Sequence, residues 1–120
     1  MTAMAPVRIG MDVGGTKTEG VAVDVDGTIL ARLRRPTEWG ADAVIAGIVE
    51  TTQALAAEVG FTAADILSVG VGVPGLVDAA QGRVLHAVNL GVESLDIARL
   101  AGAEIGAPIF VENDVKAAAL

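Results

Sequence analysis

Two runs of alternating aliphatic residues, 7–13 and 20–25, flank Gly14-Gly15-Thr16-Lys17 and impose a pair of strands joined by a tight turn. Val7, Ile9, Met11 and Val13 alternate with Arg8, Gly10 and Asp12; Val21, Val23 and Val25 alternate with Gly20, Ala22 and Asp24. That is the period of a strand. Asp12 therefore ends one strand and a glycine pair follows it. Glycine admits backbone conformations closed to other residues and lets N–H groups approach a ligand. Successive N–H groups in such a turn make a concave anion site. Lys17 adds a positive charge, and Thr16 and Thr18 add hydroxyl donors. Asp12 repels a bare phosphate, so its place here points to a magnesium ion accompanying the phosphate. An ordinary hairpin turn is the competing reading of a lone Gly-Gly.

Further along, Asp26-Gly27 is a second hairpin signal, and residues 28–35 read as a third strand. Arg32, Arg34, Arg35 and Pro36 suit an exposed edge. Residues 41–59 change period: Val44, Ile45, Ile48, Val49, Leu55, Ala56 and Val59 share one helical stripe, with Gly60 as its stop. Thr62-Ala63-Ala64-Asp65 resembles a capping box. Residues 67–73 read as a buried strand that Pro74-Gly75 breaks, and 76–87 as an irregular excursion or a hairpin around Gly82. His86, the only histidine, has no partners for a metal site and reads as structural or solvated. Helical spacing over 94–104, closed by Gly106, precedes a last strand at 108–112 and an Ala-rich helix opened by Asn113-Asp114. In three strands one face is large and aliphatic and the other small; the large face is expected to be the core. The predicted order is three hairpin-joined strands, then helix, strand, helix, strand, helix. This is an α/β fold with a mixed sheet covered by helices.

At 120 residues the chain is one domain, able to bury roughly two-thirds of its unfolded surface. Aromatics are limited to Trp39, Phe61 and Phe110, so the core is aliphatic. A net charge of −7 argues against nucleic acid or an anionic membrane as partner. No cysteine is present for disulfides or thiolate metal sites. The first residues lack signal-peptide character, and no apolar run nears the roughly 20 residues of a membrane span. A cytoplasmic chain is the expectation.

Two pattern matches fail on context. Gly70-Val71-Gly72-Val73-Pro74-Gly75 fits GxGxxG, but its first glycines lie inside a strand and no helix follows. Gly10 to Lys17 is one residue out of step with a P-loop and leads into a strand. Asn113-Asp114 stands at a strand-to-helix junction, where side chains reach a cleft beyond strand ends; a helix cap is the alternative. A helix N-terminus would keep Asp114 ionised, and a weak ionised base suits phosphoryl transfer, whose transition state is loose.

In series, Asp12-Val13-Gly14-Gly15-Thr16-Lys17, Gly72-Val73-Pro74-Gly75-Leu76-Val77-Asp78 and Glu112-Asn113-Asp114-Val115-Lys116-Ala117-Ala118-Ala119-Leu120 resemble the N-terminal lobe of a ROK-family sugar kinase of the glucokinase-like kind. The resemblance implies an actin-like, ribonuclease-H-like lobe that binds ATP, Mg2+ and a sugar. It implies that Asp12 handles the magnesium-bound phosphates and that Gly14, Gly15, Thr16 and Lys17 form the first phosphate loop. Gly75 would line the sugar pocket, Asn113 would bind sugar hydroxyls, and Asp114 would be the catalytic base on the accepting hydroxyl, usually O6 of a hexose. Asn89-Leu90-Gly91 resembles the Asn-Leu-x-Trp segment on the sugar side, with Val92 where many members have Trp and Lys116 where Asn is common.

Residues 1–120 are thus expected to be an N-terminal lobe without its C-terminal lobe, where the second phosphate loop, the adenosine pocket and the family's zinc cysteines belong. The expected behaviour is weak or no activity alone and self-association through the face that meets the second lobe, Ala117 to Leu120 included. The alternatives are a sugar-sensing domain of a ROK-type regulator, for which residues 1–6 leave no helix-turn-helix, and a half that works only with a partner lobe.

Overall fold

Strand β1 (Val7–Val13) is the hub of a five-stranded sheet in the computed structural model, which describes residues 6–113. Strands β2 (Lys17–Asp24) and β3 (Ile29–Pro36) extend it antiparallel on one side; β4 (Ile66–Val73) and β8 (Ile109–Asn113) extend it parallel on the other. The order is β3-β2-β1-β4-β8. Helix α1 (Ala41–Val59) makes the crossover that parallel strands require, and Gly60 ends it in the left-handed conformation, its N–H on the Ala56 carbonyl at 2.7 Å. The capping box forms in a 3-10 turn at Ala63–Asp65, with the Asp65 carboxylate accepting from the Thr62 N–H at 2.8 Å.

Between β4 and β8 lies a second sheet, β5 (Leu76–Asp78), β6 (Arg83–Ala87) and β7 (Val92–Leu95), with a 3-10 turn at Val88–Leu90. The excursion after Pro74-Gly75 is therefore a hairpin. The helix expected from Ser94 begins later, as α2 (Ile97–Ile105). Leu95 pairs with Val84 and Glu93 with His86, so the apolar residues in front of Ile97 serve the sheet rather than the helix. Ser94, at φ 51°, and the cap residue Asp96 turn the chain between the two. Residues 114–120, and with them the Ala-rich helix, lie outside the described residues.

Both helices pack on one face of the large sheet. There Ile9, Met11 and Val13 of β1 stand in register with Val69 and Val71 of β4 and Ile109 and Val111 of β8, over Ile48, Leu55, Ile97 and Ala101. Strand β2 departs from the expected pattern. Its small residues face this core: Met11 pairs with Gly20, Ile9 with Ala22 and Val13 with Thr18. A β-carbon on Gly20 would lie 2.8 Å from Thr51 Cγ2, so α1 rests directly on the β2 backbone. Val21 and Val23 point to the opposite face and stay half-buried. The buried hydroxyls of Thr51 and Thr52 donate within α1 to the carbonyls of Gly47 and Ile48, at 2.6 and 3.0 Å. Local back-bonding of that kind satisfies a buried threonine. Among the described residues no helix is long and apolar enough to cross a membrane.

Candidate functional site

The parallel strands β1, β4 and β8 end at the same edge of the large sheet, in Val13, Val73 and Asn113. Carboxyl ends of parallel strands form the crevice in which open α/β sheets bind ligands. The Gly-Gly turn closes on itself there, the Gly14 N–H donating to the Lys17 carbonyl at 2.9 Å. Neither Gly14 nor Gly15 takes a left-handed φ, so freedom of the backbone is not why they are glycines. Space is: a β-carbon would lie 3.1 Å from the Lys17 carbonyl oxygen at Gly14, and 3.2 Å from Asn89 Cβ at Gly15. The turn thereby abuts Asn89, which lies in the 3-10 turn between β6 and β7.

Asn89 also lines a cleft of about 280 Å³ with Pro74, Gly75, Leu76, His86 and Val88. Gly75 is pressed so close to β6 that a β-carbon would collide with the His86 carbonyl oxygen, and its φ is 132°. From the end of β8 the Asn113 amide donates to the Gly75 carbonyl at 2.7 Å. Gly15, Asn89, Gly75 and Asn113, chosen from separate stretches of sequence, thus form one connected edge. Asp114 lies outside the described residues.

Asp12 sits on the other side of the sheet, the face away from the helices. Its row runs Arg34, Glu19, Asp12, Gly72, Glu112 across the five strands. Glu112 was not singled out from the sequence, although its distance of two strands from Asp12 follows once the sheet order is known. Gly72, itself buried, lies between the two carboxylates in this row. Lys17 and Arg34 each reach Glu19 Oε1 at 3.4 Å, so Lys17 is held over this row. No group of three or more His, Asp or Glu able to hold a metal occurs among the described residues. A hard carboxylate such as Asp12 beside a phosphate turn fits Mg2+, which takes one or two carboxylates and completes its shell with phosphate oxygens and water. His86 lines the cleft with Nδ1 3.4 Å from Glu93 Oε1, an ion pair when the imidazole is protonated. As expected, Gly70 and Gly72 lie within β4 and a strand follows Gly75, which excludes a dinucleotide fingerprint; Lys17 opens strand β2 rather than a helix, which excludes a P-loop.

Comparison with known proteins decides the family, because the ROK family model matches residues 8–120. The chain belongs to the ROK family. It is 34% identical over 113 residues to the glucokinase of Streptomyces coelicolor, which covers 94% of this chain and 34% of that protein. Its fold matches the crystal structure of a ROK-family glucokinase from Streptomyces griseus in complex with glucose and AMPPNP, with a TM-score of 0.77 and 33% identity over 94% of this chain and 35% of that one. It also matches a ROK-family transcriptional regulator, a homologue of the E. coli MLC protein, with a TM-score of 0.80 and 26% identity over 97% of this chain and 30% of that one. The fold is therefore the mixed α/β, actin-like lobe that the motifs implied. The chain spans about a third of the length of these ROK relatives.

Proposed function

We propose that these residues form the N-terminal lobe of an ATP-dependent sugar kinase that transfers the γ-phosphate of ATP to a hexose hydroxyl, that on C6. The observation that carries this reading is the contact between the Gly14-Gly15 turn and Asn89. It sets a phosphate-type loop directly against a small cleft at the strand ends that carries Asn89 and His86. The likeness to the glucose- and AMPPNP-bound glucokinase supports both ligands.

In this reading the N–H groups of the turn that the Lys17 carbonyl leaves over, with Thr16 and Lys17, bind the phosphates, and Asp12 would hold the accompanying Mg2+ through its phosphate or through water. That ion, when bound, neutralises charge on the phosphates. Gly75, Asn89 and Asn113 position the sugar. The Asp114 carboxylate takes the proton of the accepting hydroxyl as its oxygen bonds to the γ-phosphorus. The bond from that phosphorus to the bridging oxygen breaks, and sugar phosphate and ADP leave. Most of the rate enhancement comes from positioning and charge stabilisation by both walls of the cleft. These 120 residues provide one wall, so the first lobe alone is expected to be weak or inactive.

The test is an ADP-release assay across glucose, mannose, fructose, N-acetylglucosamine and N-acetylmannosamine, run on the 120 residues alone and joined to a second lobe. Turnover is expected only in the two-lobed protein and is expected to fall at least about a hundredfold in Asp114→Asn, the low end for loss of a general base. Retained activity in that variant removes Asp114 from the mechanism. Sugar-dependent ADP release by neither form would favour the second reading, a sugar-sensing domain, for which the likeness to the regulator speaks.

A further inference from the structure

Residues 36–40 run as a strap from the phosphate-type turn to the cleft. At one end the Thr37 N–H donates to the Thr16 carbonyl at 3.0 Å, and the Thr37 and Thr18 hydroxyls are 2.7 Å apart. At the other end the Gly40 N–H donates to the Leu90 carbonyl at 2.8 Å. The strap carries Trp39, the chain's single tryptophan, and leaves it 73% exposed. Its indole lies on Gly91: a β-carbon there would fall onto Cδ2, Cε2 and Cζ2 of the ring. Gly91 has a φ of 67° and ends the turn that holds Asn89. Val92, next along, is 2% exposed and turned into the core, so this turn supplies the cleft with no aromatic of its own.

An indole seated on the Gly91 backbone and 73% exposed offers a large ring surface to a ligand. Here it rests on the turn whose Val88 and Asn89 line the cleft, with Leu76 and Val88 also exposed there. Ligand sites combine apolar and aromatic walls with a few placed polar groups. Resting on the kinase-lobe reading above, we infer that Trp39 is the aromatic platform of the sugar site and takes the apolar C–H face of a hexopyranose. The strap makes the platform move with the phosphate turn, so sugar seating and phosphate binding share one mechanical element. Residues on β5, β6 and the Asn89 turn then read the hydroxyl pattern while Trp39 selects for a ring with an apolar face.

The experiment is an amide NMR titration of the 120-residue chain with glucose, followed for the single indole N–H and for the amides of Gly75 and Asn89. The indole and these amides are expected to shift together with one dissociation constant. Trp39→Ala is expected to raise that constant roughly tenfold, the scale of one lost aromatic contact, and Trp39→Phe to restore most of it. The ring is outside the core, so a dispersed amide spectrum in both variants shows that the fold is kept. Shifts at Gly75 and Asn89 with a silent indole and unchanged affinity in Trp39→Ala would overturn the inference. So would a Trp39→Ala variant that loses self-association but binds glucose as before, which makes the ring a protein contact. Absence of any glucose-dependent shift overturns the sugar-site reading itself, and the platform with it.

Discussion

Gly75 occupies a place no other residue can take. Its φ of 132° belongs to glycine, and the His86 carbonyl stands where a β-carbon would go. Gly75→Ala is expected to destabilise the chain by about 2 kcal/mol, from strain and steric overlap together, and to part Asn113 from the Gly75 carbonyl. A lower urea midpoint and a shifted Asn113 side-chain amide signal check this. Gly47 is the contrast: nothing lies within 4 Å of a β-carbon there, and it sits inside α1. Gly47→Ala is expected to stabilise by up to about 1 kcal/mol through helix propensity, seen as a higher midpoint. Both glycines look alike in sequence. Gly75 was legible as a strand breaker after Pro74, but its squeeze against β6 depends on a hairpin that the sequence left open.

At the scale of elements, the half-exposed strand β2 shows how a period can be right and its meaning reversed. Alternation placed Val21 and Val23 on one face and Gly20 and Ala22 on the other, and aliphatic size suggested that the valines face the core. The approach of α1 decides otherwise, because only a strand surface without side-chain bulk lets Thr51 and Leu55 come so near. Gly20→Ala is expected to cost about 1–3 kcal/mol by overpacking at Thr51, read as a lower denaturant midpoint. The start of α2 makes a second element-level prediction. The Asp96 carboxylate accepts from Arg99 Nε at 3.0 Å, with Arg83 at 3.7 Å. The Arg99 hydrogen bond holds the Asp96 carboxyl below its ordinary value, against the opposing effect of partial burial. A carboxyl with a lowered folded pKa adds stability above its unfolded value, near 3.9, and loses it as pH falls through the folded value. Asp96→Asn should therefore cost about 0.5–1 kcal/mol at neutral pH, with wild type and variant converging in acid. Thermal unfolding from pH 7 to pH 2 measures it.

Across the whole molecule, helices cover one face of the large sheet and the described residues leave the other open. Gly10 and Gly70 line that open face with half-buried Val21 and Val23, and Phe110 stands on it 61% exposed. Apolar area of this kind drives association, so the 120 residues are expected to self-associate as concentration rises. Light scattering should show the mass growing with concentration, and Phe110→Ser should shift it toward the monomer. A concentration-independent monomer for the unsubstituted chain would count against this use of the face.

Local chemistry sufficed for much of this. Strand and helix periods, the turn glycines, the stop at Gly60 and the order of three motifs are properties of neighbouring residues, so β1, β4 and α1 and the family itself could be read from the chain. Tertiary structure decided the rest: which face of β2 is buried, that residues 92–95 join a sheet, that Gly15 meets Asn89, and that Trp39 lies on Gly91. A period says that a strand has two faces, and it does not say what arrives to cover them. Contacts between distant segments depend on sheet order and on the close approach of backbones, and both exist only once the chain has folded.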